Sequence, residues 1–277
     1  MSQIINEALP ASGIFDSHAH YFDKRFAVET EGADTILERD VFGEGIDGII
    51  NVGTNNENNI VCIEQAKRYE KMYAAVGIHP EDAAYCKFSI DEELARLCEL
   101  LCTSERIKEN KIVAIGEIGL DYHYDGFDKV LQQEYFDRQL NIAERYGLPV
   151  VIHDRDAHGD CFETVLRHSN VRGVFHSFSG SREMALELVK RGWYISFSGV
   201  LTFKNARKCV EVAEAVPMDK ILIETDCPYL APHPHRGKIN HSGLMHLTAQ
   251  KLAEIKGITY AEAVQKTREN TRTLFGV

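Results

Sequence analysis

Two histidines and an aspartate alternate in the segment Asp16-Ser17-His18-Ala19-His20, which follows the apolar pair Ile14-Phe15. A β-strand turns successive side chains to opposite faces, so Asp16, His18 and His20 would share one face at the strand's end. Neutral imidazole is the commonest metal ligand in proteins. A single histidine is more often a hydrogen-bonded cleft residue, but a His-x-His pair at a strand terminus can chelate an ion. The segment therefore predicts part of a metal site.

Ionisable side chains also stand at the ends of five other apolar runs. They are His79, Glu117, His153, His176 and Asp226. Taken singly, each has an ordinary explanation as a cleft, loop or turn residue. Chance does not readily explain four imidazoles and two carboxylates at matching strand ends. Those six residues, the candidate metal ligands, are His18, His20, Glu117, His153, His176 and Asp226.

This donor set indicates hydrolytic metal chemistry. Imidazole and carboxylate ligands suit borderline ions such as Zn²⁺ or Mn²⁺, whereas all-oxygen sites suit Mg²⁺. Six ligands exceed the three that a hydrolytic zinc usually takes from a protein. Two divalent ions that share a carboxylate fit better, and Glu117 is the natural bridge. Such a pair holds a hydroxide and stabilises both the attacking and the leaving oxygen of a displacement.

These donors require strands that end at one common edge. Eight apolar runs have strand length, and most are continuous, as expected of parallel strands covered on both faces. The runs are 13–18, 46–52, 73–78, 112–118, 149–153, 173–176, 193–197 and 220–225. Amphipathic segments lie between them, and this alternation favours an α/β fold, a (β/α)8 TIM barrel with its site at the carboxyl ends of the strands. A doubly wound open sheet remains an alternative, because strand count does not prove closure.

The helical segments complete the expected domain organisation. They are 58–71, 90–102, 131–146, 161–168, 182–191, 206–216, 244–256 and 259–274. Thr259 and Glu262 form a capping-box pattern at the start of the last segment. No Pro/Gly/Ser-rich linker divides the chain, so we expect one domain over residues 1–277, with residues 1–12 as a short leader.

Composition and charge indicate which partners and which cell compartment to expect for the protein. The net charge of −11 disfavours a protein that coats long nucleic acid, because such binding relies on lysine and arginine against phosphates. A nuclease remains compatible if bound cations supply positive charge locally. Seven cysteines without a Cys-x-x-Cys motif predict reduced, buried thiols. No secretory signal or membrane-spanning run is apparent, so we expect a cytoplasmic protein without membrane contact.

Six segments follow one another in the order of a known set of motifs. They are Asp16-Ser17-His18-Ala19-His20, Gly77-Ile78-His79-Pro80, Gly116-Glu117-Ile118-Gly119-Leu120-Asp121, Ile152-His153, His176-Ser177-Phe178-Ser179-Gly180 and Glu224-Thr225-Asp226-Cys227-Pro228-Tyr229-Leu230. They closely resemble the TatD family, the TatD-like metal-dependent deoxyribonucleases of the amidohydrolase superfamily. The resemblance implies a distorted (β/α)8 barrel with a divalent metal centre.

Carried over position by position, the resemblance assigns the ligands of two ions. It gives one ion to His18, His20, Glu117 and Asp226, and the second to Glu117, His153 and His176. Arg236-Gly237-Lys238 and Asn240 also match the family pattern. This chain then has His241-Ser242 where the family usually has Glu-Pro, so the conformation of this loop is open.

The expected function is divalent-metal-dependent hydrolysis of a phosphoester bond, with DNA ends or short nucleic acid as the substrate and no obligate protein partner. Asp226 is expected to accept a proton from the attacking water while it remains a ligand, with Glu117 as the second catalytic residue. Exonuclease action from a 3′ end follows from the resemblance alone.

Three further residues are candidates for phosphate contacts. They are His79, Arg155 and Arg236, since a guanidinium fork matches phosphate oxygens. His79 is explained nearly as well as a structural residue before a turn proline. Pairing with the rim carboxylates Asp154 and Asp121 is the alternative for the arginines. A basic group formed by Lys204, Arg207 and Lys208 is more typical of a solvated helix face.

Two rival functions remain open at this point. The same two-ion centre polarises a carbonyl as readily as a phosphoryl group, so the substrate could be an ester or an amide, such as a mischarged aminoacyl-tRNA or a small acylated or glycosylated metabolite. A non-catalytic protein that keeps the metal site is the other alternative. It predicts the loss of a ligand, whereas all six motif positions are occupied.

Overall fold

Eight parallel strands form one sheet in the order of the chain. The computed structural model of the protein describes residues 12–277, so residues 1–11 of the expected leader lie outside the described residues. The strands are β1 (Phe15–Ala19), β2 (Gly48–Val52), β3 (Met72–Val76), β4 (Ile112–Asp121), β5 (Val150–Arg155), β6 (Gly173–Phe175), β7 (Tyr194–Phe197) and β8 (Ile221–Ile223). Each strand overlaps one of the eight predicted runs.

The sheet closes where the segment after β8 returns to β1. Ala19 and Cys227 form a parallel bridge. The amide of His20 donates to the carbonyl of Cys227 at 2.9 Å, and the amide of Asp226 donates to the carbonyl of His18 at 2.9 Å. The predicted TIM barrel is thus confirmed, and the open sheet is not the architecture of the chain. The closing bonds involve the backbone of residues in the first and last motifs, so closure itself brings those motifs together.

The helices pack around the strands as a (β/α)8 fold requires. They are α1 (Lys24–Glu29), α2 (Ala33–Ile36), α3 (Asn56–Arg68), α4 (Pro80–Ala83), α5 (Ile90–Leu100), α6 (Ser104–Glu109), α7 (Lys129–Tyr146), α8 (His158–Arg167), α9 (Arg182–Lys190), α10 (Arg207–Ala215), α11 (Met245–Lys256) and α12 (Tyr260–Phe275). The eight predicted helical segments correspond to α3, α5 and α7–α12. The predicted capping box is confirmed, because the Thr259 side chain accepts from the Glu262 amide and the Glu262 carboxylate accepts from the Thr259 amide.

Helical structure between β1 and β2 was not predicted. This connection holds α1, α2 and a π-helical stretch, Leu37–Phe42. Each of the three elements has six residues or fewer, too few for a hydrophobic period to be distinguished from a loop. Tertiary packing stabilises them, because Phe26, Leu37 and Val41 are all buried.

The barrel interior is a separate apolar layer to which every strand contributes. Its members are Phe15, Ile50, Val52, Ala75, Ala114, Val151, Val174, Tyr194 and Leu222, with Phe275 from α12. Residues on the opposite strand faces belong to a larger cluster shared with the helices. The Phe15 ring fills the space beside Gly48, so that a Cβ on Gly48 would lie 2.4 Å from the ring. The interior below the carboxyl ends is therefore filled, which restricts a ligand to the rim.

The prediction of reduced, buried thiols is correct for some of the cysteines. All seven cysteines are free, and the prediction of buried thiols is correct for Cys62, Cys161 and Cys227. It is wrong for Cys102, which is exposed beyond the end of α5.

Among residues 12–277, no helix is both long and apolar enough to cross a membrane.

Candidate metal centre

Histidine and carboxylate donors converge at the carboxyl ends of the strands in three overlapping groups. The groups are His18 with Glu117 and His176, His18 with His20 and Asp226, and His79 with Glu117 and His153. Within each group the donor atoms lie within 4.8 Å of one another. All six sequence-predicted metal ligands are therefore in one cluster, and His79 is in it as well.

The first and last strands supply one side of the cluster. The Nε2 atoms of His18 and His20 are 2.9 Å apart. Oδ1 of Asp226 lies 3.7 Å from Nε2 of His18 and 3.3 Å from Nε2 of His20. The alternation expected of β1 explains the histidine pair, and barrel closure explains why Asp226, more than 200 residues later in the chain, faces it.

Glu117 stands between the two sides of the cluster and uses a different oxygen for each. Its Oε2 lies 3.3 Å from Nε2 of His18 and 3.4 Å from Nε2 of His20. Its Oε1 lies 2.7 Å from Nδ1 of His153 and 2.8 Å from Nε2 of His176. A buried carboxylate with its two oxygens directed at separate sets of imidazoles has the arrangement that a bridging ligand needs.

Further contacts orient the imidazoles. Nδ1 of His20 lies 2.7 Å from the carbonyl oxygen of Val52, and Nε2 of His153 lies 2.9 Å from Oδ2 of Asp121. Nδ1 of His176 lies 3.2 Å from Oε1 of the buried Glu224, which also accepts from the Ser177 amide at 2.7 Å. Metal-bound histidines commonly use their second nitrogen in this way, so the rings are held ready with the other nitrogen directed inward.

Asp16 lies behind the cluster and joins β1 to the two segments after β8. Its carboxylate accepts hydrogen bonds from the Thr225 hydroxyl and the Ser242 hydroxyl, both at 2.7 Å. The Tyr21 hydroxyl lies 2.8 Å from the Ser242 hydroxyl. Complete burial raises the pKa of Asp16 to about 7, although these donors and the His18 amide oppose the rise. Ser242, which departs from the usual family residue, thus secures the loop directly to the first motif.

Burial and mutual charge set the ionisation of the cluster. Burial opposes the charged form of Glu117, but the imidazoles of His176, His79 and His18 hold its pKa well below the usual range. Burial likewise opposes protonation of His153, but Asp121 and Glu117 raise its pKa to about 9. The pKa of His176 is also raised well above its usual value, against its own burial, by Glu117 and Glu224. Without a metal ion, protons on these imidazoles therefore balance the buried carboxylates.

The donor set fits divalent metal ions. Seven buried or partly buried nitrogen and oxygen donors converge in the described part of the chain. Mixed imidazole and carboxylate donors match the preference of Zn²⁺ and Mn²⁺. Two positively charged ions would replace the protons as the counter-charge of Glu117 and Asp226. The metal-ligand roles of the individual residues remain predictions.

The three residues predicted to contact substrate have different positions. Nε2 of His79 lies 3.4 Å from Oε1 of Glu117, while its Nδ1 accepts from the Glu81 amide at 3.1 Å, so His79 both faces the donors and caps α4. Arg155 lines the cavity, 3.9 Å from Oδ2 of Asp121. Arg236 does not line it, because its guanidinium lies over the Phe203 ring, 4.2 Å from the ring centre.

The cluster forms the floor of a large open cavity. The cavity has a volume of about 1110 Å³, and loops after all eight strands contribute to its wall. Aromatic and polar groups that sequence reasoning did not select also face it, among them Phe22, Tyr124 and Asn205. No motif signals these residues, since loop length and loop conformation determine which of them reach the wall.

Known proteins are similar to this chain in sequence. Residues 15–276 match a family model described as TatD related DNase. The chain is 39% identical over 267 residues to an uncharacterized metal-dependent hydrolase, YabD, of Bacillus subtilis. The alignment covers 95% of this chain and 99% of YabD. An uncharacterized metal-dependent hydrolase named TatD, from Mycobacterium tuberculosis, is 31% identical over 269 residues, or 95% of this chain and 97% of its own.

A solved structure is also similar to this chain. The crystal structure of YjjV, a TatD homologue from Escherichia coli, matches with a TM-score of 0.86 at 32% identity, over 96% of this chain and 99% of that chain. Residues 15–276, which match the family model, contain every member of the donor cluster. The chain therefore belongs to the TatD family of metal-dependent hydrolases.

Proposed function

We propose that the protein hydrolyses phosphodiester bonds at the ends of DNA, using two divalent ions held by the donor cluster. The observation that carries this proposal is the position of Glu117, whose two carboxylate oxygens are directed at separate groups of imidazoles. One group, with Asp226, would hold the first ion, and the group with His153 and His176 would hold the second. When bound, such ions lower the pKa of a water and stabilise the charge on a phosphoryl group.

The protein's own residues then have distinct tasks. Asp226 is the one carboxylate of the cluster with appreciable exposure, 17% against 3% for Glu117, so it can meet an entering water and accept its proton. Its pKa is lowered, against the effect of burial, by a hydrogen bond to His20 and by the charges of His176 and His18. It is therefore ionised before the reaction, as a general base must be.

Cavity size is compatible with a nucleotide chain. A volume of about 1110 Å³ lies just above the roughly 300–1,000 Å³ of typical small-molecule sites, so the cavity can admit a nucleotide. Arg155 at the wall is 41% exposed and presents a guanidinium suited to a phosphate oxygen. Exonuclease action from the 3′ end is proposed from the family resemblance.

The test is cleavage of single-stranded DNA with a 5′ label by protein that has been stripped of metal and then given Mg²⁺, Mn²⁺ or Zn²⁺. We expect a ladder that shortens from the 3′ end, only with metal, and not with Asp226→Asn. A carboxylic ester and an amide are offered in parallel. Turnover of either one, with no DNA cleavage by metal-loaded protein, would overturn the phosphodiester proposal in favour of acyl hydrolysis.

A further inference from the structure

The cavity wall separates acidic from basic side chains. The wall contributed after β1–β4 contains the carboxylates of Asp23, Glu81, Asp82 and Asp121, besides Glu117, and no lysine or arginine. The wall contributed after β6 and β7 contains Arg207 and Lys208 and no carboxylate. A substrate with one charged and one neutral portion therefore meets two unlike surfaces on either side of the donor cluster.

The basic wall also offers neutral hydrogen-bonding groups. Ser177, Ser179, Ser198 and Asn205 line it. The hydroxyls of Ser177 and Ser198 are 2.9 Å apart, and Ser177 follows His176 directly in the chain. Polar groups thus continue from the metal cluster to the start of α10, where both cations stand.

Lys208 differs from the other two cations of the cavity in having no anionic partner. Nε of Arg207 lies 3.0 Å from Glu211, and Arg155 lies 3.9 Å from Asp121. Within residues 12–277, no carboxylate is within ion-pair distance of the Lys208 ammonium. Lys208 interacts electrostatically with His158, which pairs with Asp154 at 2.9 Å. The free charge of Lys208 is therefore available to a ligand.

We propose that the wall after β6 and β7 is a subsite for a second anionic group of the substrate, with Lys208 as its principal contact. This inference rests on the proposed phosphodiester hydrolysis and specifies the substrate further. The phosphate that is cleaved would lie at the donor cluster, and a neighbouring phosphate of the same strand would lie over Lys208. A simple diester with one phosphate would leave the subsite empty.

The acidic wall disfavours binding of the substrate in the opposite orientation. A phosphate placed near Asp23, Glu81 and Asp82 would meet like charge, whereas a base or sugar would not. Arg155, the cation that the end of β5 adds beside this wall, is already partnered by Asp121 at 3.9 Å. One exposed charge pair contributes up to about 1 kcal/mol, which corresponds to about a fivefold change in affinity. Lys208 is thus predicted to act on specificity between substrates and not on the chemical step.

The test compares binding of three thymidine dinucleotides whose internal linkage is a slowly cleaved phosphorothioate. One has no terminal phosphate, one has a 5′-phosphate and one has a 3′-phosphate. Dissociation constants are measured by calorimetry with the full metal-loaded chain, and chromatography checks that the ligand stays intact. The variants are Lys208→Met, the charge-preserving Lys208→Arg, and Lys204→Met as the control, since Lys204 is exposed in the loop just before α10 but does not line the cavity.

For the wild type and Lys204→Met, one of the two terminal phosphates should tighten binding about fivefold. In Lys208→Met this gain should disappear while binding of the unphosphorylated ligand is unchanged, and Lys208→Arg should restore the gain. A gain that persists in Lys208→Met, or a wild type that gains from neither phosphate, overturns the subsite. A Lys208-dependent gain in a protein that cleaves no phosphodiester keeps the anion subsite and refutes the proposed function instead.

Discussion

Replacing Glu117 by glutamine should remove both metal ions, whereas replacing Asp226 by asparagine should remove only one. Glutamine keeps the shape of the side chain and loses its charge. Glu117 belongs to two of the three donor groups and directs different oxygens at His18 and His176, while Asp226 belongs to one group. The two substitutions are chemically alike, so a difference between them reports on the bridging position of Glu117.

The expected magnitude follows from the burial of Glu117, which is 3% exposed. A unit charge and a divalent ion about 4 Å apart attract by about 8 kcal/mol at an effective dielectric constant near 20. Relief of the carboxylate's own desolvation returns several kcal/mol of this. A net loss of about 3 kcal/mol for each ion corresponds to at least about a hundredfold weaker binding.

The assay is metal content by mass spectrometry after equilibrium dialysis against buffered Zn²⁺, with circular dichroism as the check on folding. We expect two ions per wild-type chain, one in Asp226→Asn and fewer than one in Glu117→Gln at the same free Zn²⁺. A folded Glu117→Gln variant that keeps two ions with wild-type affinity would refute the bridging role of this carboxylate.

Three other predictions follow from the same structure. Because the pKa of His153 is about 9 and those of His176 and His20 are also raised in the metal-free state, metal binding at pH 7 should release protons from these imidazoles and tighten as pH rises towards 9; calorimetry in two buffers measures the release, and a pH-independent affinity contradicts it. Ser242→Ala removes a hydroxyl that donates to the buried Asp16, so thermal unfolding should show a loss of about 1–3 kcal/mol; a loss below the measurement error would mean that the hydrogen bond is not needed. Gly119→Ala should be more damaging still, since Gly119 has φ of 144° and a Cβ would lie 1.9 Å from the His153 carbonyl oxygen; a variant with wild-type stability and metal content would contradict this.

The barrel could be predicted from sequence because most of its strands begin as continuous apolar runs, as parallel strands covered on both faces require. β4 extends three residues beyond its predicted run, and β5 begins one residue and ends two residues later than its run. The polar residues at the ends of both strands belong to the rim. The elements between β1 and β2 could not be predicted in this way. They are short, and packing of Phe26 and Leu37 stabilises them more than any local signal does.

The common edge of the donors was predictable, but their distances were not. Strand ends place His153 and His176 at one rim, yet the position of Glu117 between this pair and the histidines of β1 depends on how the barrel closes. His79 was considered for substrate contact or as a structural residue before a turn proline, and its 3.4 Å approach to Glu117 is a tertiary result. The position of Arg236 was equally hidden from the sequence, since its loop turns the guanidinium onto Phe203.

Ser242 shows what neither periodicity nor a motif can indicate. The residue is 226 positions from Asp16 in the chain, and it stands where the family usually has a proline. Its hydroxyl becomes important only when barrel closure brings it to the first motif. A departure from a family motif was thus visible in the sequence, but its compensating hydrogen bond was not.

Anomalous diffraction from crystals grown with Zn²⁺ or Mn²⁺ can show whether Glu117 is shared by two ions. We expect two anomalous peaks about 3.5–4 Å apart, one beside His18, His20 and Asp226 and the other beside His153 and His176, with Glu117 in contact with both. A single peak in this cluster at saturating metal, or two peaks of which Glu117 contacts only one, would contradict it.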